Sequence, residues 1–449
     1  MSLSVSLQQR RKQLAKLFNF PVILWSGKAP SRNFPANRYP FRANSHFLYF
    51  AGLNLENVAI RLVGEELELF MDNPPASATL WHGEMPTREE IANQIGADRA
   101  YPLAKLQSRT DEAATLPVQD TLTYQQQCQL LNRSISLTGK DLELAKTVVQ
   151  LRLCHDQAAL AELKKAAVVA IEAHKTGIQT TKQATSEAQV RSRMESVIMA
   201  HNMSCAYNSI VSVRGEVLHN ENYSNSLTPG DLLLADVGAE TQSGYASDIT
   251  RTWAVSGKFS STQKDIYEVV LAAHDRCIAA MRPGVEYREI HLLAAFVIAE
   301  GLVDLGILQG NPEDLVSQDA HALFFPHGIG HLLGLDVHDM EDLGDIAGYE
   351  ASRTRSDRFG LGYLRLNRPL AEGMLVTIEP GYYQVPAILN DPKLRNKHQK
   401  VVNWQRLESF ADVRGIRIED DVLVTGEGSA VLTSALPTTI SEIEALMNN

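Results

Sequence analysis

Two aspartates, Asp236 and Asp248, lie in a stretch (residues 231–253) whose apolar and turn-forming residues predict a tight antiparallel hairpin. With the turn centred near Gln242, the two aspartates face each other across the strands. Facing side chains in an antiparallel pair lie about 5 Å apart at Cβ, and like charges at that distance repel each other. Either one carboxylate holds a proton or a multivalent cation lies between them. The pair is therefore a candidate metal site.

Three histidines, His327, His331 and His338, fall within twelve positions of a glycine-containing segment. Glycine lets the main chain approach a site closely. Imidazole is a common metal ligand and carries a proton near neutral pH. A single histidine is more often a structural residue, but three in one loop favour a functional site.

Two glutamates occur at the ends of predicted strands. Glu379 directly precedes a Pro-Gly turn, and Glu419 lies in an alternating segment, residues 415–424, that predicts one strand with Arg417, Glu419 and Asp421 on the same face. Each motif alone also fits a solvated surface. Together with the aspartates they supply four carboxylates, ligands that suit Mn²⁺ and related divalent ions. The combination predicts two metal ions that share a water, which is a hydrolytic site.

Composition and length limit the class of protein. The chain has 449 residues, 44% hydrophobic and 21% charged, which predicts a soluble globular protein of two domains. The formal charge of −11 argues against a nucleic-acid partner. The amino terminus lacks the apolar run of a secretory signal, and no stretch predicts a membrane span. The four cysteines are widely spaced and contain no C-x-x-C pair, so we expect reduced thiols and a cytoplasmic location.

Helical periodicity gives the organisation of the chain. A long helical stretch begins near Asp141, breaks around residues 154–157 and resumes with near-3.6 spacing through residues 158–176. We therefore place the domain boundary close to Cys154, which gives domains 1–155 and 156–449. Further helices are expected at about 186–202, 262–282 and 287–305, with strands near 207–213.

These motifs resemble the metallopeptidases with the pita-bread fold, in the branch of aminopeptidase P and prolidase. The matching motifs are D-V-G, S-D-I-T-R-T, H-G-x-G-H, T-I-E-P-G and G-I-R-I-E-D. The resemblance implies an α/β (α+β) fold, with a pita-bread catalytic domain preceded by a smaller mixed α/β amino-terminal domain that is similar to that of aminopeptidase P. It implies two divalent ions, with Mn²⁺ expected, and five metal ligands: Asp236, Asp248, His331, Glu379 and Glu419.

The resemblance also implies a mechanism. A hydroxide shared by the two ions would attack the peptide, with Glu379 as proton acceptor and later donor. His338 and His219 would polarise the scissile carbonyl or stabilise the oxyanion. His327 and Arg417 would position the substrate or the ligands. Relatives commonly self-associate, so a homo-oligomer, a dimer or tetramer, is expected.

Two activities fit this branch. The segment 39–52 resembles aminopeptidase P and favours a Xaa-Pro aminopeptidase that acts on proline-containing peptides. The long stretches 339–378 and 382–418 look more like prolidase, so a Xaa-Pro dipeptidase is the alternative. A metal-free binding module of the same fold is a third possibility.

Overall fold

The structure is a computed structural model that describes residues 3–448. Its mixed helices and strands confirm the expected fold class. Contacts along the described chain divide it into two compact units. The first runs up to Leu160 and also includes residues 242–244, and the second comprises the remainder.

The first unit is built around a four-stranded sheet in the order β1-β4-β5-β6, antiparallel except for the parallel pair β5–β6. Its apolar core includes Ile23, Trp25, Phe70 and Leu106. The helices are α1 (Leu3–Leu17), α2 (Ser45–Ala51), α3 (Ala78–His82), α4 (Arg88–Ile95), α5 (Thr121–Leu131) and α6 (Gly139–Arg152). The strands are β1 (Val22–Trp25), β2 (Ser31–Phe34), β3 (Asn37–Arg38), β4 (Ala59–Val63), β5 (Glu66–Phe70) and β6 (Arg99–Tyr101).

The second unit contains several short antiparallel sheets and most of the helices. The helices are α7 (Gln157–Thr180), α8 (Glu187–Ala200), α9 (Ser261–Ala280), α10 (Tyr287–Asp304), α11 (Pro312–Ser317), α12 (Asp345–Gly348), α13 (Pro386–Leu389), α14 (Pro392–His398), α15 (Trp404–Glu408) and α16 (Ile440–Leu446). The strands are β7 (Ser204–Cys205), β8 (Ile210–Ser212), β9 (Leu232–Asp236), β10 (Ala239–Glu240), β11 (Thr250–Ala254), β12 (Leu375–Ile378), β13 (Gly381–Tyr383), β14 (Gly415–Arg417), β15 (Asp420–Val424) and β16 (Ser429–Val431). Within residues 3–448, none of the helices combines the length and the apolar character that crossing a bilayer requires.

The long helices lie where helical periodicity placed them, to within a few residues at either end. The break between α6 and α7 spans residues 153–156, as expected. Helix α9 begins at a capping box, in which the Ser260 side chain accepts from the Gln263 N–H and the Gln263 side chain accepts from the Ser260 N–H. Helices α9 and α10 pack against each other, and α9 also contacts β12, β13 and β14. These helices therefore back the strands that carry the polar motifs.

The hairpin of β9 and β11 forms, but its register differs from the predicted one. Asp236 pairs with Thr250, not with Asp248, so the turn is centred near Ser243. In this register Gly238 lies across from Asp248, and a Cβ added to Gly238 would lie only 2.0 Å from the Ser247 carbonyl oxygen. A shift of two residues keeps every side chain on its face. Both aspartates therefore still point to the same side, as diagonal neighbours.

The segment 415–424 is two strands, not the single strand predicted. β14 pairs with β13, whereas β15 pairs with β12 in a different sheet, and Ile418 and Glu419 lie between them. The alternating pattern could not reveal this change, because all ten residues except Leu423 are buried. Glu419 therefore lies at the point where the chain passes from one sheet to the next.

Three buried histidines, His291, His321 and His398, lie close enough to influence one another. The Nε2 atom of His291 lies 2.9 Å from the Gly360 carbonyl oxygen. Both ring nitrogens of His321 and of His398 are buried without a hydrogen-bond partner in the described part of the chain. Burial lowers the pKa of His291 to about 4 and, with His291 and Arg358 nearby, that of His321 to about 3. These rings are therefore neutral in the folded protein at neutral pH.

We expect the free energy of unfolding to fall as the pH is lowered from about 6.5 toward 4. The unfolded chain binds protons at the ordinary histidine pKa, whereas the folded state keeps His291 and His321 neutral. At pH 5 each such ring costs on the order of 2 kcal/mol. Urea unfolding at several pH values measures this slope. His321→Leu should make it shallower, and the exposed His201→Leu should not. Equal slopes in the two variants would contradict the assignment.

Candidate metal centre

One cavity of about 430 Å³ in the second unit brings the sequence-predicted residues together. Its walls include all five expected metal ligands and the four other residues expected to act on the substrate. They are Asp236, Asp248, His331, Glu379 and Glu419, with His219, His327, His338 and Arg417. Residues from five separate segments of the sequence therefore meet at one place.

Three of these side chains form a compact, buried cluster. One oxygen of Asp248, one of Glu419 and one ring nitrogen of His331 all lie within 4.8 Å of one another. The His331 Nδ1 atom lies 3.0 Å from the Leu332 carbonyl oxygen, so Nδ1 carries the proton. The lone pair of Nε2 therefore faces Asp248 Oδ2, 3.3 Å away. A fixed tautomer and converging oxygens are what a divalent ion requires of its ligands.

The loop that carries His331 lies along β12, the strand that ends directly before Glu379. The Thr377 N–H donates to the His331 carbonyl oxygen at 3.0 Å, and the Glu379 N–H donates to the Ile329 carbonyl oxygen at 2.9 Å. Gly330 makes this approach possible, since a Cβ there would lie 2.2 Å from the Thr377 carbonyl oxygen. Glu379 Oε1 consequently lies 3.6 Å from His331 Nε2.

Asp236 reaches the same cavity with different partners. Its Oδ2 atom is 2.5 Å from the Arg417 guanidinium. The Tyr207 hydroxyl lies 2.5 Å from Oδ1 of both Asp236 and Asp248, and its single proton can be donated to only one of them at a time. The structure therefore joins the two hairpin aspartates through a tyrosine hydroxyl.

Burial and mutual repulsion govern the charge of these acids. Burial, reinforced by Asp236, raises the pKa of Asp248 to about 8. Burial raises the pKa of Glu379 to about 7, against the opposing effects of His331 and Arg417. The pKa of Glu419 is raised well above its ordinary value by burial and by Asp248, Glu379 and Asp236. Without a cation the cluster holds protons, so the donor set fits divalent ions that would replace them.

A chain of hydrogen bonds fixes His327. Its Nδ1 atom lies 2.8 Å from the Gly328 carbonyl oxygen and therefore carries the proton. The Tyr383 hydroxyl donates to His327 Nε2 at 2.9 Å and accepts from Arg417 at 3.1 Å. Burial and the nearby Arg417 lower the pKa of His327 to about 3, so the ring is neutral. With both nitrogens engaged, His327 contributes to the site through Tyr383 and Arg417.

His338 and His219 border the open side of the cavity. The ring of His338 stacks on that of His331 with centroids 4.0 Å apart, and its Nδ1 atom lies 3.2 Å from Glu341. Burial lowers the pKa of both His338 and His219, aided by His331 at the first ring and by Arg417 at the second. The pKa of Glu341 is lowered to about 2, since His338 and Arg365 outweigh the effect of burial. An anion therefore lies permanently beside His338.

Sequence reasoning missed four residues of the site: Tyr207, Tyr383, Thr250 and Arg365. The Thr250 hydroxyl donates to Glu419 Oε2 at 2.6 Å and accepts from Arg417 Nε at 3.0 Å. A buried tyrosine or threonine ordinarily reads as part of a core. For two of these residues the sequence offered one signal, which is closeness to a predicted ligand. Thr250 lies two residues after Asp248, and Tyr383 lies four residues after Glu379.

Known proteins resemble this chain along nearly its whole length. Residues 161–426 match the description "Metallopeptidase family M24", and residues 7–120 match "Aminopeptidase P, N-terminal domain". A Xaa-Pro aminopeptidase of Haemophilus influenzae is 31% identical over 445 residues, covering 96% of this chain and 94% of the relative. The structure of aminopeptidase P from E. coli with the inhibitor Pro-Leu has a TM-score of 0.81 at 27% identity, covering 100% of this chain and 99% of the other. Aminopeptidase PepP of Pseudomonas aeruginosa gives 0.81 at 28%, covering 99% and 98%.

We expect the metal-free protein to lose stability as the pH rises toward 8. The raised pKa values of Asp248 and Glu379 mean that the folded state holds protons that the unfolded chain releases above pH 4 to 5. Urea unfolding in the presence of a chelator, between pH 6 and 8, measures this loss where ordinary histidines are largely neutral. Asp248→Asn should flatten the curve of stability against pH, and the exposed Asp265→Asn should leave it unchanged.

Mn²⁺ should bind more tightly as the pH rises, because it replaces the protons that the acids of the cluster hold at lower pH. A metal affinity independent of pH over this range would refute the assignment.

Proposed function

The chain belongs to metallopeptidase family M24, and we infer that it is a metallo-aminopeptidase that hydrolyses the Xaa-Pro bond at the amino terminus of peptides. The observation that carries this inference is the buried cluster of Asp248, His331 and Glu419, in a chain that also matches the amino-terminal domain of aminopeptidase P. The expected pita-bread class agrees with the structural likeness to aminopeptidase P of E. coli. Proline-containing peptides are accordingly the substrates.

We assign the metal site to the five residues Asp236, Asp248, His331, Glu379 and Glu419. The protein takes divalent ions, and we propose two of them, with Mn²⁺ preferred. Four carboxylates and a single imidazole form a hard, oxygen-rich donor set, which suits Mn²⁺ better than a site rich in thiolate or imidazole would. The pairing of Arg417 with Asp236 supports a role for that arginine in orienting the ligand.

Held by Asp236, Asp248, His331, Glu379 and Glu419, divalent ions would supply Lewis-acid chemistry, which polarises a scissile carbonyl and lowers the pKa of water. Glu379 is the residue placed to accept the proton of that water, since its carboxylate borders the cavity beside His331. It then delivers the proton to the leaving nitrogen. That nitrogen belongs to proline and has no hydrogen of its own in the intact peptide.

His338 and His219 differ in the hydrogen bonds that they can donate. The Nδ1 of His338 faces anionic Glu341, so in the neutral ring Nδ1 carries the proton and Nε2 is an acceptor. His338 can thus stabilise the oxyanion only as an imidazolium, a form that Glu341 supports. We propose that His219 donates to the oxyanion from its neutral ring. His327, engaged at both nitrogens, positions Tyr383 and Arg417.

A dipeptidase activity is a second candidate, favoured by Arg365. This arginine lines the same cavity and pairs with Glu341 at 2.7 Å, with a side chain more than one-third exposed. A dipeptide ends in a carboxylate immediately after proline, and a guanidinium in the cavity could pair with it. A longer peptide has an amide at that position and gains nothing from the charge.

The sequence supports three further proposals about this chain. We propose that residues 1–155 form an aminopeptidase-P-like domain and residues 156–449 the catalytic domain, which the family matches at 7–120 and 161–426 support. We propose self-association into a dimer or tetramer, as implied by the resemblance. A cytoplasmic location is supported by the four widely spaced cysteines of the sequence, which contain no C-x-x-C pair.

We expect Xaa-Pro-Yaa tripeptides to be cleaved with a higher kcat/KM than Xaa-Pro dipeptides when the protein is loaded with Mn²⁺. Release of the first residue, followed by chromatography, measures both. Asp248→Asn should lower kcat at least about a hundredfold, because it removes a ligand charge. The surface variant Asp265→Asn is the control. Turnover confined to dipeptides would overturn the aminopeptidase assignment and establish the dipeptidase.

Arg365→Gln separates the two activities further. If Arg365 pairs with a substrate carboxylate, the variant should raise KM for a Xaa-Pro dipeptide about tenfold and leave KM for a Xaa-Pro-Yaa amide unchanged. Equal effects on both substrates would show that Arg365 acts only through Glu341. Steady-state kinetics with the two substrates at saturating Mn²⁺ provide the comparison.

A further inference from the structure

Three successive acids at the start of β15 are all buried but have different surroundings. Glu419 belongs to the metal cluster, and Asp421 accepts the main-chain N–H of Asp248 at 3.1 Å. Asp420 instead contacts Arg251 at 2.8 Å and His274 Nε2 at 3.0 Å. The Thr433 hydroxyl donates to the same carboxylate at 2.5 Å. Asp420 therefore accepts hydrogen bonds from Arg251 and Thr433 and pairs with His274, all outside the substrate cavity.

Asp420 is buried, and its carboxylate pairs with the buried Arg251 guanidinium at 2.8 Å. A buried anion of this kind is stable only while its cations stay in place. The group formed by Arg251, Asp420 and His274 is named the arginine clamp below.

Arg251 is fully buried, and each of its five N–H groups has an acceptor. One of these acceptors is the Asp420 carboxylate and the others are main-chain carbonyl oxygens. The distances are 2.8 Å to Asp420, 2.7 Å to Glu419, 3.0 Å to Thr250, 2.9 Å to Pro437 and 3.1 Å to Leu436. The guanidinium therefore joins β11, the start of β15 and the segment before α16.

The contacts of Thr250 connect the arginine clamp to the metal ligand. Thr250 and Glu419 form an isolated bridge, in which the Glu419 N–H donates to the Thr250 carbonyl oxygen at 3.0 Å. The Thr250 hydroxyl then donates to Glu419 Oε2. Arg251 holds the carbonyl groups of both residues. A change at Arg251 would therefore shift the main chain of Glu419. It would also shift Thr250, whose hydroxyl orients the Glu419 carboxylate.

We propose that the arginine clamp is a set of positioning residues that fixes Glu419 for metal binding without touching the substrate. The proposal rests on the metal site proposed above. Of the described residues that line the substrate cavity, none belongs to the clamp. His274 and Asp420 instead line a separate cavity, together with Leu436 and Pro437. The clamp thus acts on the metal centre from the opposite side of β15.

The geometry explains why this position needs arginine. A lysine would keep the charge but has one ammonium, which cannot reach acceptors on three segments at once. Partners of this kind, which orient metal ligands, typically change metal affinity by about ten- to a hundredfold when altered. Arg251→Lys and Asp420→Asn should therefore weaken Mn²⁺ binding by about that factor.

The experiment measures Mn²⁺ affinity directly, by isothermal titration of the chelator-treated protein, and then kcat and KM at saturating Mn²⁺. The matched control is Glu68→Gln in the first unit, a buried acid held by Arg61 at 2.9 Å and Arg109 at 2.6 Å. We expect Arg251→Lys and Asp420→Asn to lose Mn²⁺ affinity while KM changes less than twofold. Glu68→Gln should lower the unfolding temperature and keep the affinity of the unmodified protein.

A milder variant keeps the proposal falsifiable if the first two variants fail to fold. Thr433→Val is nearly isosteric. It removes one donor to Asp420 and the acceptor of the Asp421 N–H at 3.2 Å, so we expect a loss of about three- to tenfold in Mn²⁺ affinity. Unchanged affinity in Thr433→Val and in any folded Arg251 or Asp420 variant would overturn the proposal. Failure of the unmodified protein to bind Mn²⁺ would instead overturn the proposed metal site, which separates the two outcomes.

Discussion

The site depends on the cost of burying many carboxylates within a few ångströms of one another. Asp236, Asp248, Glu419, Asp420 and Asp421 are all buried. Two buried arginines neutralise one acid each: Arg417 pairs with Asp236, and Arg251 pairs with Asp420. Asp248 and Glu419 are left with raised pKa values, and only protons or cations can balance them. The two arginines thus balance Asp236 and Asp420, and a divalent ion would balance Asp248 and Glu419.

Strand ends supply the geometry that this electrostatic arrangement needs. The hairpin of β9 and β11 places Asp236 and Asp248 on one side, and β12 with its attached loop places Glu379 beside His331. Thr250 links the two parts, because its hydroxyl contacts both Glu419 and Arg417. Short, separately paired strands allow these ends to converge, whereas one continuous sheet would keep them apart.

The sequence identified the candidate ligands more fully than the side chains that surround them. Acids, histidines and one arginine in these motifs, together with the resemblance to aminopeptidase P and prolidase, identified nine residues that the structure brings to one cavity. Periodicity could not fix the hairpin register, because a shift of two residues leaves every side chain on the same face. It could not show that 415–424 is two strands, because nearly all of its residues are buried. Tyr207 and Arg251 were missed, since the partners of a buried polar residue are set by distant parts of the chain.

The passage from β14 to β15 has a consequence for how this protein can vary. Arg417, Glu419, Asp420 and Asp421 follow one another almost directly, yet they serve Asp236, the metal cluster, Arg251 and Asp248 respectively. Adding or deleting one residue here would move each carboxylate to the position that its neighbour occupies. An added residue would place Glu419 beside Arg251, and a deleted residue would place Asp420 in the metal cluster. This short segment should accept exchanges of side chain far more readily than any change in its length.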